Sequence, residues 1–210
     1  MRDDDGGVLG KAFYQARERD LEKRLGAKRF EHTKAVAETA AQLARRYGVD
    51  ERTARLAGLL HDWDKNYDDE GIRRRADEVG AKGDPWVYAS MPRLLHGPTA
   101  AAALAREFPE LPADIVQAIE RHTTAAVGMS DLDMVVYIAD AIEPHRRFEG
   151  IEPLRQAVGN VPLEELFFMT YRHIFESLIA RGCELHPATT DIWNYYVARA
   201  RKAPGGKGTK

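Results

Sequence analysis

Residues 56–65 read LAGLLHDWDK, and the fold turns on how this stretch is read. An apolar helical run, Leu56-Ala57-Gly58-Leu59-Leu60, leads straight into His61 and Asp62, with Lys65 three residues on. A carboxylate buried without a partner costs several kcal/mol or takes up a proton. Either this helix surfaces at residue 61, or a cation waits for Asp62 in the interior.

The same helical period extends in both directions. Residues 8–25 carry Leu9, Phe13, Ala16 and Leu21 among charges, and residues 29–47 carry His32, Val36, Thr39/Ala40, Leu43 and Tyr47 on one stripe, stopped by Gly48. Asp50 followed by Glu51 predicts a capped helix running to about Trp63. A polar helix over 68–80 ends at Gly80. A loop with Gly83, Pro85 and Pro92 then leads to His96-Gly97-Pro98, where Pro98 opens an Ala-rich helix ending near Phe108. Pro112 starts another, with Ile115, Ile119 and His122 along one face. Ser130 and Asp133 form a capping-box pattern before 131–142, and helices over about 163–181 and 189–200 finish the chain. No segment alternates at period two, so the expected fold is an all-α helical bundle. Residues 1–27 read as a leader with an N-terminal helix, 28–200 as the main domain, and 201–210 as a Gly- and Lys-rich tail of disordered composition.

A chain of 210 residues suits one domain with a single sizeable core. Net charge is -2 without a long basic block, which argues against nucleic-acid binding. Cys183 is the only cysteine, so no disulfide forms within the chain, and a reducing compartment fits. The start, MRDDDGGVLG, lacks the pattern of a signal peptide, and no apolar run approaches the roughly 20 residues of a membrane span. A cytoplasmic protein without membrane contact is expected.

Polar residues stand where a bland bundle would place apolar ones. His32 lies on an apolar stripe, His61-Asp62 end a buried run, and His122 closes the Ile115/Ile119 face. Asp140 interrupts Met134–Ala139 and Ala141-Ile142, and His96 precedes the close-packing surface Ala100–Ala103. A single core histidine is usually hydrogen-bonded structure. Two buried carboxylates with four imidazoles make sense together if metal ions supply the missing positive charge.

The order His32, His61-Asp62, His96, His122, Asp140 resembles the HD-domain superfamily of metal-dependent phosphohydrolases in its two-metal form. The stretches RFEHTKAVAETAAQLARRYGVD, AGLLHDWDK, LLHGPTAA, IERHTT, MVVYIADAIEPHRRF and LHPATTDIWN are similar to its bacterial YqeK-type branch, over about residues 28–196. That branch comprises symmetrical bis(5′-nucleosyl)-tetraphosphatases, which cut diadenosine tetraphosphate into two ADP. The resemblance implies an all-helical HD fold and a dinuclear centre of divalent or trivalent ions, iron foremost, with manganese, cobalt or nickel also suiting the donors. It implies that His32, His61, Asp62 and Asp140 hold one metal, and that Asp62 bridges to a second completed by His96 and His122. Asp62 and Lys65 would be catalytic, with a metal-bridging hydroxide attacking a β-phosphorus.

Around the ligands, Arg29, Lys65, Thr123, Thr124 and Arg146 offer the cations and hydroxyls that a polyphosphate requires. With Trp63, Asp64 and His186 they complete the expected substrate contacts, alongside the ligands themselves. His145 and His173 are read as non-ligands. The implied partners are a dinucleoside polyphosphate and its ADP product, and a homodimer is compatible. Three departures from the family pattern bear on substrate choice: Asp64 where an apolar or small residue is common, Ala125-Ala126-Val127 ahead of Gly128 where Gly usually follows the threonines at once, and Trp193 where Arg is common. The rival readings are an HD phosphohydrolase acting on another nucleotide, an HD-fold di-iron oxygenase, and a non-catalytic nucleotide-sensing HD module.

Overall fold

The structure, a computed structural model, describes residues 7–202. Its elements are α1 (Lys11–Arg24), α2 (Ala27–Tyr47), α3 (Glu51–Leu60), α4 (Asp69–Val79), α5 (Pro85–Ser90), a 3-10 turn (Pro92–Leu95), α6 (His96–Glu107), α7 (Ala113–Arg121), α8 (Asp131–Ile142), α9 (Ile151–Ala157), α10 (Leu163–Ala180) and α11 (Thr189–Lys202). No strand occurs among the described residues, and the bundle is all-α as expected. No described helix is long and apolar enough to cross a membrane.

Local chemistry sets most of the boundaries. Asp50 caps α3 by accepting the Thr53 N–H at 2.8 Å. Gly48 ends α2 in the left-handed region, φ 76°. Ser130 and Asp133 close a capping box on α8. Helix α8 is buried on nearly every side, from Leu132 through Ala139, and α2, α3, α7 and α10 pack around it. Helices α2 and α3 cross closely. A Cβ on Gly58 would sit 3.0 Å from Ala37 Cα and 3.2 Å from Ala40 Cβ, so only glycine lets these backbones approach so closely.

Several boundaries differ from the sequence reading. Helix α3 stops at Leu60, and successive turns carry residues 61–66. Helix α6 opens at His96 rather than Pro98; the first turn's amides need no helical acceptor, so a proline two residues in is tolerated. A short helix, α5, and the 3-10 turn occupy the stretch read as a loop; Asp84 caps α5 by accepting from Trp86 and Val87. Helix α11 runs two residues beyond the expected domain end at 200. The expectations for residues 1–6 and 203–210, leader and tail, lie outside the described residues.

Candidate metal centre

Six predicted residues converge from five parts of the chain: α2, the turn after α3, the start of α6, the end of α7, and α8. His32, His61, Asp62, His96 and His122 are buried, and Asp140 is partly buried. Asp62 stands in the middle. Its Oδ2 lies 3.3 Å from His61 Nε2 and 3.9 Å from His32 Nε2, while its Oδ1 lies 3.3 Å from His96 Nε2 and 3.8 Å from His122 Nε2. Asp140 Oδ1 is 3.0 Å from His32 Nε2 and 3.9 Å from His61 Nε2. Two overlapping groups, His32–His61–Asp140 and His61–Asp62–His122, each bring one ligand atom per residue within 4.8 Å of one another.

The histidines share one design. Nδ1 of His61, His96 and His122 each faces the carbonyl oxygen three residues earlier, Gly58, Arg93 and Ile119, at 2.7 Å. His32 Nδ1 faces Glu143 Oε1 at 3.0 Å. These oxygens accept a hydrogen bond from Nδ1–H, so each imidazole in its neutral form presents the Nε2 lone pair inward, the tautomer a metal ligand needs. His32 Nε2 is buried and makes no well-aligned hydrogen bond, although a carboxylate oxygen lies close. A lone pair set against a carboxylate calls for a cation between them, so this donor set fits transition-metal ions.

Burial pulls the His61 imidazole down, but Asp62 and Asp140 beside it raise it overall, so this ring is drawn toward positive charge. Burial would raise the Asp62 carboxyl, but His61 and His96 beside it hold it well below the usual carboxylate range. Asp140 is likewise low despite burial, held by its contact with His32 and by the charges of His61 and Arg146. Burial, with His96 and His61 as neighbours, pushes His122 down to about 3, keeping it neutral. Both carboxylates therefore stay ionised while His122 remains an uncharged donor.

Around this ring the cations are in place. Arg29 Nη1 reaches Asp62 Oδ2 at 2.9 Å, and Arg146 donates to both the side chain and, at 2.9 Å, the carbonyl of Asp140. Lys65 Nζ lies 3.2 Å from His96 Nε2, its pKa lowered chiefly by burial. The Thr123 hydroxyl is 3.2 Å from His96 Nε2 and 3.1 Å from His122 Nε2. A cleft of about 1210 Å³ reaches the ring past Lys28, Arg29, Asn66, His145, Arg146 and Arg147, with His32 and Glu143 in its lining. A smaller cavity of about 210 Å³, bordered by Tyr137, Phe148 and Ile174, meets the ring at His122, Thr123 and Asp140.

Four expected substrate contacts are not brought here. Trp63 is 2% exposed and packs edge-on against Phe108 in the core, ring centres 6.3 Å apart. Asp64 faces Arg75 and Arg24, not Lys65. Residues 63 and 64 leave the turn on the side opposite His61, Asp62 and Lys65. The Thr124 hydroxyl turns to the carbonyl of Ala125. His186 sits before α11, where its Nδ1 accepts from Ala188 N–H and Asp84 is the charge acting on it; it contacts none of the six ligands among the described residues.

One functional residue escaped the sequence reading. Glu143 is 1% exposed, holds His32 through Oε1, and accepts the His145 N–H through Oε2 at 2.6 Å. Its spacing, three residues after Asp140, is the one faint signal the sequence offers.

Residues 29–145 match the HD domain family. The chain is 37% identical to the symmetrical bis(5′-nucleosyl)-tetraphosphatase of Halalkalibacterium halodurans over 79% of its own length and 87% of that protein. It is 34% identical to the protein of the same name from Staphylococcus aureus, over 83% and 89% of the two chains. In fold it is similar to a crystal structure from Clostridium acetobutylicum described as a "predicted HD superfamily hydrolase involved in NAD metabolism". The TM-score is 0.81 at 34% identity, with 89% of this chain and 97% of that one covered.

Proposed function

The chain belongs to the HD domain family, and from that premise we propose that it hydrolyses dinucleoside tetraphosphates symmetrically, diadenosine tetraphosphate to two ADP. The observation that carries the reading is the cationic cleft. Lys28, Arg29, Arg146 and Arg147 outnumber Glu31 in the lining of a cleft that meets the centre at His32 and Glu143. A tetraphosphate chain is the kind of anion such a cleft recognises. The two relatives that carry this activity in their names are similar over most of the chain. An oxygenase acting on an uncharged polyol would have no use for those cations.

In this reading His32, His61, Asp62 and Asp140 hold one metal ion, and Asp62 with His96 and His122 holds a second. Asp62 is suited to bridge because its two oxygens face different histidines. Iron is the ion proposed, and manganese, cobalt and nickel suit the same nitrogen and carboxylate donors. When bound, such ions supply Lewis acidity and a water activated at neutral pH.

The chain's own residues do the rest. Arg29 and Arg146 bind phosphate oxygens at the mouth of the ring and align the polyphosphate. Thr123 donates a hydroxyl hydrogen bond to the reacting phosphate. Lys65, half-buried and adjacent to His96, stabilises charge on the departing diphosphate. Water adds its oxygen to one β-phosphorus, the bond from that phosphorus to the central bridging oxygen breaks, and two ADP leave with the water's two protons released to solvent.

The test is product identity. The purified protein, loaded with iron, manganese or cobalt, is expected to convert diadenosine tetraphosphate to ADP alone, with oxygen-18 from labelled water in a β-phosphate. AMP and ATP as products would overturn symmetrical cleavage, and no hydrolysis with any of these metals would overturn the enzymatic reading.

A further inference from the structure

The turn at residues 61–66 has two faces. His61, Asp62 and Lys65 look into the ring, while Trp63 and Asp64 look away from it. The Asp64 side chain is fully buried, with Oδ2 3.1 Å from Arg75 Nε of α4 and Oδ1 3.5 Å from Arg24 Nη2 of α1. The Arg24 guanidinium also lies 4.3 Å from the centre of the Trp63 ring. Behind Trp63, Phe108 packs edge-on against Phe13 of α1 at 5.4 Å, with Arg17 4.2 Å over the Phe108 ring. Helix α1 lies outside residues 29–145, the stretch matched to the HD domain family, yet it supplies four of these contacts.

Stability is a poor reason for such an arrangement. A buried carboxylate between guanidinium groups loses its hydration, and apolar residues of similar volume are often as stable or more so in that position. Geometry is the better reason. Asp64 is two residues from Asp62 on the same tight turn, so anchoring it from two helices sets the rotation at which Asp62 and Lys65 meet the ring. The neighbouring hydrogen bonds Trp63 N–H to Leu60 O at 3.1 Å and Lys65 N–H to Asp62 O at 3.0 Å transmit that rotation along the turn.

We propose that Asp64, held by Arg24 and Arg75, is a positioning residue for the metal-binding turn, and that α1 is therefore part of the catalytic unit rather than a leader to it. The proposal uses the hydrolase reading only for its activity readout; its metal readout is independent.

The test replaces the whole charged group at similar volume, as Arg24→Met/Asp64→Leu/Arg75→Met, and compares it with the unaltered protein. Its thermal midpoint is expected to stay close to that of the parent. Cobalt(II) affinity should fall roughly tenfold to a hundredfold, the range seen when groups supporting metal ligands are lost, with a changed visible spectrum. Turnover of diadenosine tetraphosphate should fall with little change in KM. A variant with unchanged cobalt affinity, spectrum and kcat would overturn the proposal and leave the cluster a structural feature. Asp64→Asn serves if the triple variant does not fold: a smaller loss of cobalt affinity is expected, and no loss would overturn the proposal equally. Failure of the parent protein to hydrolyse the nucleotide would remove the functional reading alone, since the cobalt comparison stands without it.

Discussion

Glu143 gives His32 a partner unlike those of the other three histidines: a carboxylate in place of a backbone carbonyl. An anion on Nδ1 makes the opposite nitrogen a stronger donor. Glu143→Gln should therefore weaken metal binding by about tenfold and Glu143→Ala by up to roughly a hundredfold, read by chelator competition. The cations beyond the ligands should behave differently. Lys65→Ala and Arg146→Ala are expected to keep their metal but lose about tenfold to a thousandfold in turnover, the kinetic equivalent of roughly 1.4–4 kcal/mol of transition-state stabilisation. Unchanged kinetics in both would move the phosphate site elsewhere. At this scale the ligands were legible because each interrupts an apolar face. Glu143 was not, because a carboxylate at a helix end followed by Pro144 reads as an ordinary solvated terminus. Trp63 and Asp64 misled for another reason: nearness in sequence to a ligand does not say which way a tight turn sends a side chain.

Each ligand is as well placed as the helix that carries it. Helix α3 delivers His61 and Asp62, and its depth is set where Gly58 meets Val36, Ala37 and Ala40 of α2. Gly58→Ala should force the pair apart at a cost of about 1–3 kcal/mol, measured by urea unfolding, and should weaken metal binding as well. Full stability with full metal affinity in that variant would show that the crossing has slack. The loop after α7 shows how a departure from the family pattern is absorbed. Ala125, where glycine is usual, adopts φ 60°, the left-handed conformation that costs an alanine roughly 1–2 kcal/mol. The backbone thus holds Thr123 and His122 in place without glycine. Helix existence was legible from period and caps. Boundaries next to the site were less so, since α6 can begin ahead of Pro98 and α3 can end ahead of His61.

Across the whole molecule, the six proposed ligands come from five parts of the chain, so a bound metal would make the centre a long-range crosslink. Bound metal should raise thermal stability by mass action, about 2.7 kcal/mol at a hundredfold excess over its dissociation constant. Asp62→Ala should abolish that rise and lose both ions, because Asp62 alone faces all four imidazoles. Full metal content in that variant would refute the bridging role. Helix α1 belongs to the same scale. The sequence reading set it apart as residues 1–27, yet Leu21 is fully buried and Arg24 reaches the back of the metal-binding turn.

From sequence alone came the helical class, most caps, and the identity and order of the six candidate ligands. Periodicity and capping are local, and a charged residue on an apolar face reveals itself without coordinates. Only the tertiary structure decided which neighbours of those ligands point inward: Lys65, Arg29, Arg146 and Thr123 do, while Trp63, Asp64 and Thr124 do not. It also decided that Glu143 orients His32 and that α1 and α4 hold the turn from behind. Those are matters of direction and of contacts between residues as much as 111 positions apart. Side-chain direction at a turn is set by the packing of distant helices, which no local pattern encodes.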